Sequence, residues 1–345
     1  MSSYIVTGVA GFIAARITEM LLADGHSVLG LDNLDSASYS VQLKHWRLAR
    51  LFAKPGFTFR KLDVANWSEL QLGMPTDASP RAVIHLAARA GVRQSVNDPW
   101  AYMTANVTGT LNMLEYCRDR RINKFVFASS SSLYGSNNTV PFHEEAVTDR
   151  PLSPYAASKK AAEAVCYSYH HLHGLDISIL RYFTVYGPAS RPDMSPFRFT
   201  QWISEDRPVI LYGDGLQQRD FTYVDDIACG TIAALKPLGY ATINLGSDSP
   251  ISMREMIGLV EKNMGQRAHI TLKAAHPADV RATWADISRA KELLEWQPQV
   301  NYEEGFKRLV RWYVDNRDWA SLIDTAELPD KEASATASPV AAHLS

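Results

Sequence analysis

Residues 4–16 read YIVTGVAGFIAAR. A β-branched run stops at Gly8, and Gly11 opens a longer stretch, GFIAARITEMLLADG, whose apolar residues recur at helical spacing. Gly8, Gly11 and Ala14 therefore form GxxGxxA at a strand-to-helix junction. The first glycine permits a tight turn, the second lets backbone approach a pyrophosphate, and a small third residue lets the helix pack on the strand. The helix start offers free amide hydrogens to phosphate, and Phe12 and Ile13 stand at that first turn.

The next apolar run, SVLGLD, ends on Asp32, 24 residues after Gly8. A carboxylate about 20 residues downstream is suited to bind ribose hydroxyls of a dinucleotide. Asn33 follows it, and LDNLD holds no arginine to receive a 2′-phosphate, so NAD is expected over NADP. Asp63, at the end of FRKLD, is placed either to meet the adenine amine or simply as a strand-end or helix-capping aspartate; Val64 follows it. Leu86, Ala87 and Ala88, after RAVIH, complete the cofactor set, whereas His85 inside that apolar run reads as a core histidine.

The runs FTFRKLD, RAVIHLA and KFVFASS alternate with helical stretches, as do YIVTG and SVLGLD before them. This alternation predicts an α/β protein, a doubly wound parallel Rossmann sheet with right-handed crossovers. After ISILRYF, Gly, Pro and aromatic residues become denser and the elements shorter. An NAD-binding domain over 1–180 and a smaller C-terminal substrate domain over 181–325 are expected. FTYVDDIACGTIAAL is a candidate to return to the first lobe. Residues 326–345, rich in Ala, Ser and Pro, read as a flexible tail.

Bulk composition excludes several classes of function. The 35 basic and 37 acidic residues nearly cancel, so no broad positive field exists for nucleic acid or an anionic membrane. Cys117, Cys166 and Cys229 lack CxxC spacing, which argues against a zinc site or a disulfide framework and for a reducing, cytoplasmic setting. No metal is expected. The start of the chain lacks signal-peptide features, and no run of about 18 apolar residues occurs.

Tyr155 and Lys159 stand four apart in YAASK and so share one helix face. A phenol ordinarily titrates near 10, too high for a base at neutral pH, and a nearby ammonium together with a positive nicotinamide favours the phenolate. Ser130, 25 residues before Tyr155, ends a strand where ligands of open α/β sheets gather.

With TGVAGFIAAR, LDNL, IHLAARAGVR, ASSSSLYG, SPYAASKKAAE, LRYFTVYGP, RDFTYVDDI and ADISRAKELLEWQP in this order, the chain resembles the extended short-chain dehydrogenases/reductases, specifically the NAD-dependent nucleotide-sugar epimerases and dehydratases. Two positions depart from that pattern: Ala14 replaces a commoner Gly, and Arg89 a commoner Gln. The resemblance implies tightly held NAD. It implies that Tyr155 takes the proton of a sugar 4-hydroxyl as C4 gives up hydride, that Lys159 tunes Tyr155 and holds the nicotinamide ribose, and that Ser130 orients the hydroxyl. A 4-keto sugar that turns and is reduced on its other face is inverted at C4.

The same resemblance implies a UDP-sugar substrate. Arg219 in QQRDFTY matches the family's diphosphate-binding arginine, Arg281 is a second candidate, Asp279 resembles a uridine-ribose ligand, and Arg93 joins the substrate set. A surface ion pair is the alternative for Arg219, Arg281 and Asp279. Related dehydratases and decarboxylases carry carboxylates in the serine run, where this chain has Ser131 and Ser132. Neutral donors suit a substrate that brings its own carboxylate. Thr184 stands where galactose epimerases usually have Asn, Arg191 adds charge nearby, and FTVYGPASRPDM resembles UDP-glucuronate 4-epimerases. Interconversion of UDP-glucuronate and UDP-galacturonate is the expected reaction. A neutral-sugar 4-epimerase, a decarboxylase and a non-catalytic dinucleotide sensor are the alternatives.

In the family, helices equivalent to 100–119 and 154–172 build a homodimer interface. Leu111, Met113, Leu114, Ala161, Ala162 and Val165 serve either that contact or packing on the sheet.

Overall fold

The computed structural model describes residues 2–75, 80–136, 139–274 and 281–325. The first half alternates strictly: β1 (Ser3–Thr7), α1 (Phe12–Ala23), β2 (Ser27–Asp32), α2 (Val41–Phe52), β3 (Phe57–Lys61), α3 (Trp67–Gly73), β4 (Ala82–His85). Three helices, α4 (Val92–Asn97), α5 (Pro99–Met103) and α6 (Gly109–Asp119), then lead to β5 (Lys124–Ser130), with a π-helical turn at Thr104–Thr108 between α5 and α6. The long α7 (Pro154–His173) precedes β6 (Asp176–Tyr182).

Shorter elements follow: β7 (Thr184–Tyr186), α8 (Ser195–Ser204), β8 (Val209–Tyr212), β9 (Gln218–Arg219), β10 (Phe221–Tyr223), α9 (Val224–Ala233) and β11 (Tyr240–Leu245). The chain continues through β12 (Ile251–Ser252), α10 (Met253–Met264), β13 (Ile270–Lys273), α11 (Ser288–Leu294), α12 (Tyr302–Asp315) and α13 (Arg317–Ala320).

Seven parallel strands form the main sheet in the order β11-β6-β5-β4-β1-β2-β3. Both faces are covered, which is why the strands read as continuous apolar runs. Successive residues part to opposite cores: Tyr4, Val6, Ile84 and Val126 pack toward α1, while Ile5, Val83, Phe125 and Phe127 pack toward α6 and α7. Each such fully buried side chain contributes about 1.5–3 kcal/mol. A third core, with Phe199, Trp202, Phe221, Met256 and Phe306, belongs to the second lobe.

Local chemistry sets the ends of the helix that matters most. Ser153 caps α7 by accepting from Ala156 N, Pro154 opens it, and Gly174 closes it at φ +67°. β11 joins the main sheet beside β6, and α9 packs on α1, so material beyond residue 181 lies within the first lobe. The tail, 326–345, lies outside the described residues.

The strand order reverses at β1, whose neighbours are β2 and β4. Loops leaving the carboxyl ends of these strands diverge there and open a crevice.

Candidate active site

A cavity of about 660 Å3 fills that crevice, running from the β2 and β3 loops past β1 to the end of β5. The β1 turn forms its floor. Gly8 has φ +69°, and a Cβ there would stand 2.8 Å from Ala87 N. A Cβ on Gly11 would stand 2.8 Å from Gly8 O, an oxygen that accepts the Gly11 amide at 2.7 Å. A side chain at either position would fill the cradle where backbone must approach a pyrophosphate, so the residues present fit a dinucleotide.

Asp32 is buried and faces this turn. Its Oδ2 accepts from Ala10 N at 3.1 Å, and its Oδ1 accepts from Leu34 N at 2.8 Å. Asn33 donates to Asp63 Oδ2 at 3.1 Å, and Asp63 closes a turn onto Ala65 N while still lining the cavity. Phe12, Ile13, Val64, Leu86, Ala87 and Ala88 line it as well. His85 does not. It lies in the core, bonded to Thr7 Oγ1 at 2.7 Å and Thr110 Oγ1 at 3.2 Å, and its pKa is pushed down to about 3 by burial and then by the Lys159 charge.

One residue of the cofactor end escaped the sequence reading. Lys44 lines the cavity with its Nζ 3.6 Å from Asp32 Oδ1. It arrives from α2, twelve residues after Asp32, and the local pattern LDNLD gives no hint of it. A signal did exist: the buried stripe of α2 contains Lys44 and Arg47 among its leucines.

At the other end, Tyr155 and Lys159 project from α7 and meet Ser130 at the end of β5, and all three are buried. Burial raises the Tyr155 phenol above its ordinary value, against a hydrogen bond from Ser130 and the charge of Arg191. Lys159 donates to Ala128 O at 2.9 Å, and burial brings its pKa down to about 8. The sequence reading had Lys159 as the group that tunes Tyr155. The groups that favour the phenolate in this geometry are Ser130 and Arg191, and the Lys159 ammonium is turned to the Ala128 carbonyl. Tyr102 packs its ring edge-on at 6.1 Å from that of Tyr155.

Behind these groups runs a buried network most of whose members stand in ASSSSLYG, SPYAASKKAAE and LRYFTVYGP but whose contacts no local spacing reveals. Glu163 accepts from Ser129 Oγ at 2.6 Å and pairs with Arg181 at 2.8 and 3.0 Å. Arg181 donates onward to Tyr134 Oη at 3.1 Å, and Tyr134 donates to Asn244 Oδ1 at 2.6 Å. From the π-helical turn, Asn106 accepts from Arg89 N at 2.8 Å and donates to Ser158 Oγ at 2.8 Å.

Of the substrate candidates, Ser131, Ser132, Thr184 and Arg191 line the cavity near Tyr155. Arg191 donates to Asp193 at 2.6 and 3.1 Å and to Ala90 O at 3.0 Å. Arg93, Arg219 and Arg281 do not line the cavity. Arg93 lies 4.8 Å over the Tyr212 ring, Arg219 donates to Gln218 O, and Arg281 is exposed with its backbone beside β9. Asp279 lies outside the described residues. Among the described residues, no group of His, Cys, Asp and Glu side chains could hold a metal ion, and no helix is long and apolar enough to cross a membrane.

A dinucleotide crevice that ends on a buried Ser, Tyr and Lys defines an NAD-dependent enzyme of the short-chain dehydrogenase/reductase type. The chain belongs to the NAD dependent epimerase/dehydratase family, whose model matches residues 4–246. It is 55% identical over 317 residues to a UDP-glucuronate 4-epimerase of Thermodesulfobacterium geofontis, covering 92% of this chain and 97% of that one. The crystal structure of a UDP-glucuronic acid 4-epimerase from Bacillus cereus, in complex with UDP-glucuronic acid and NAD, matches with a TM-score of 0.83 at 35% identity and covers 91% of this chain and 99% of that one. A UDP-glucose 4-epimerase from Thermotoga maritima, solved with UDP-glucose, matches with a TM-score of 0.82 at 29% identity over the same shares.

Proposed function

We propose that this chain interconverts UDP-glucuronate and UDP-galacturonate by inverting C4. The observation that carries this reading is the lining beside Tyr155: hydroxyls of Ser131, Ser132 and Thr184 with the guanidinium of Arg191. Among the described residues, the acidic side chains lining the cavity are Asp32, Asp35 and Asp63, at the end of β2 and on the loops after β2 and β3. The sugar end thus offers hydroxyl donors beside a guanidinium paired with Asp193, an arrangement a carboxylate can share. The relatives named as acting on UDP-glucuronate support the same assignment.

Bound NAD supplies the acceptor and then the donor of the C4 hydride. The residues of this chain do the rest. Tyr155 takes the proton of the 4-hydroxyl and later returns it, and Ser130 holds that oxygen in line by sharing a hydrogen bond with the phenol. Lys159 stands one turn along α7 from Tyr155; Ala128 O accepts from its ammonium, whose other donors would hold the cofactor ribose.

A 4-keto uronate is a β-keto acid and loses carbon dioxide when its carboxylate bond aligns with the carbonyl π system. Three hydroxyls and Arg191 would hold the carboxylate away from that alignment and keep its charge solvated by fixed dipoles. To reach Arg191, the substrate carboxylate has to compete with Asp193.

Incubation of the holoenzyme with UDP-glucuronate, followed by proton NMR, tests the reading. UDP-galacturonate is the expected product. Accumulation of a UDP-pentose would replace epimerisation with decarboxylation, and turnover of UDP-glucose alone would overturn the carboxylate assignment.

A further inference from the structure

Arg89, to which the sequence assigns no role, sits at the rim of the cavity on the loop leaving β4. Its backbone is gripped on both sides by one side chain: Asn106 accepts from its N–H at 2.8 Å and donates to its carbonyl at 3.0 Å. With the backbone held in this way, the guanidinium extends from a fixed base. It reaches to the loop after β2, with Nη2 at 2.9 Å from Asp35 Oδ2, while Nη1 stands 3.6 Å from Asp98 Oδ2 at the start of α5.

Asp35 is oriented for this contact. Its amide donates to Asn33 Oδ1 at 3.0 Å, and its Oδ1 accepts from Ala37 N at 3.0 Å, which leaves Oδ2 to Arg89. Both partners line the cavity, and each side chain is only about a quarter exposed, 24% for Arg89 and 25% for Asp35. β2 and β4 are not neighbours, since β1 and its glycine turn lie between them. The ion pair therefore joins the two lips of the crevice across the turn that cradles the pyrophosphate.

We infer that Arg89 and Asp35 form a clasp over the cofactor cleft and set how slowly bound NAD leaves. The inference rests on the reading of the cavity as the NAD site. An epimerase has a specific use for such a clasp. Hydride taken from one sugar must return to the same sugar, so loss of the cofactor between the two transfers would strand an oxidised product. A dehydrogenase that exchanges its cofactor every turnover has no such need.

The test follows holoenzyme loaded with radiolabelled NAD and diluted into excess unlabelled NAD, at low and high ionic strength. Arg89→Gln and Asp35→Asn are each expected to release label about 10-fold faster than wild type, the size of effect typical of a hydrogen bond to a charged group. Because the pair is partly exposed, salt should speed release from wild type and leave Arg89→Gln unchanged. Joining Arg89→Asp with Asp35→Arg should restore part of the slow release. Wild-type release rates in both single variants overturn the clasp. So does wild-type release that ignores salt, an outcome readable even if a variant fails to fold. A wild-type chain that binds no NAD overturns the cofactor reading itself and the clasp with it.

Discussion

Burial raises the Tyr155 phenol above its ordinary value and outweighs both Ser130 and Arg191, so the side chain is neutral at physiological pH. A base of this kind works only when positive charge arrives nearby, which ties proton transfer to binding of the cofactor. Tyr155→Phe removes the proton acceptor without emptying much volume. It should lower turnover of UDP-glucuronate by about 10²- to 10⁴-fold with bound NAD unchanged, read by NMR of product and by nucleotide released on denaturation. Lys159 gives a second test, on stability. It loses its proton at about pH 8 in the folded chain but at the ordinary lysine value of 10.5 when unfolded, so between these values the unfolded state binds more protons. Folding stability contributed by this group therefore rises with pH across that window, by roughly 3 kcal/mol in total. Lys159→Met should lack this rise, so urea titrations at either end of the window should show wild type gaining on the variant. Parallel pH dependences in the two proteins would show that Lys159 is not the buried cation it is taken to be. Residues such as Gly8, Gly11 and Asp32 were readable from sequence because their chemistry is local: a turn, a close approach, a strand end. Lys44 was not, because its meeting with Asp32 depends on how α2 lies over β2.

The end of β5 and one face of α7 act as a single part. Three consecutive residues of the strand reach three positions of the helix: Ala128 O accepts from Lys159, Ser129 donates to Glu163, and Ser130 bonds to Tyr155. Spacing of four and eight along α7 keeps these helix residues on one side. The middle tie is fastened to β6 through the Glu163–Arg181 pair, which is almost fully buried. Removing one member of a buried pair leaves the other charge unpaired, at about 3–5 kcal/mol, whereas removing both is far milder. Glu163→Gln should accordingly lower the urea midpoint sharply, and adding Arg181→Met should recover most of the loss. A double variant no more stable than Glu163→Gln would mean that Arg181 is not the group left stranded. YAASK spacing exposed the Tyr155 and Lys159 face in the sequence, but Glu163 continues that face without any visible motive. Its partner comes from a strand whose place beside β5 no local pattern encodes. The π-helical turn at Thr104–Thr108, which aims Asn106 at Arg89 and Ser158, is hidden for the same reason.

At the scale of the whole chain, the alternation of strands and helices was enough to predict a doubly wound sheet, since each crossover has one favoured hand. Surface assignment was harder, because helical periodicity does not say which stripe faces the sheet. Met113, Leu114 and Ala162, candidates for either sheet or partner, are fully buried against the sheet. The outward stripe is instead Met103, Val107 and Leu111 along the α5 to α6 run, with Trp100 81% exposed at its start. Beside it, α7 presents Ala164, Ser168 and Leu172, small enough along most of its length for a second helix to approach closely. The two helices are joined by a hydrogen bond from Tyr169 to Glu115, which sets the two stripes side by side. Two such pairs related by a twofold axis would bury both stripes in a four-helix contact, with each partner using the same patch. We propose this face as the homodimer interface. Leu111→Glu would then place a charge at the centre of that contact on both partners at once, where like charges face each other and desolvation is greatest. The wild-type chain is expected to elute from size exclusion with light scattering at twice the chain mass, and Leu111→Glu at the chain mass with its NAD still bound. Leu111 is not among the residues lining the cavity, so loss of NAD together with the mass change would point to general unfolding, and an unchanged mass would exclude this face as the contact.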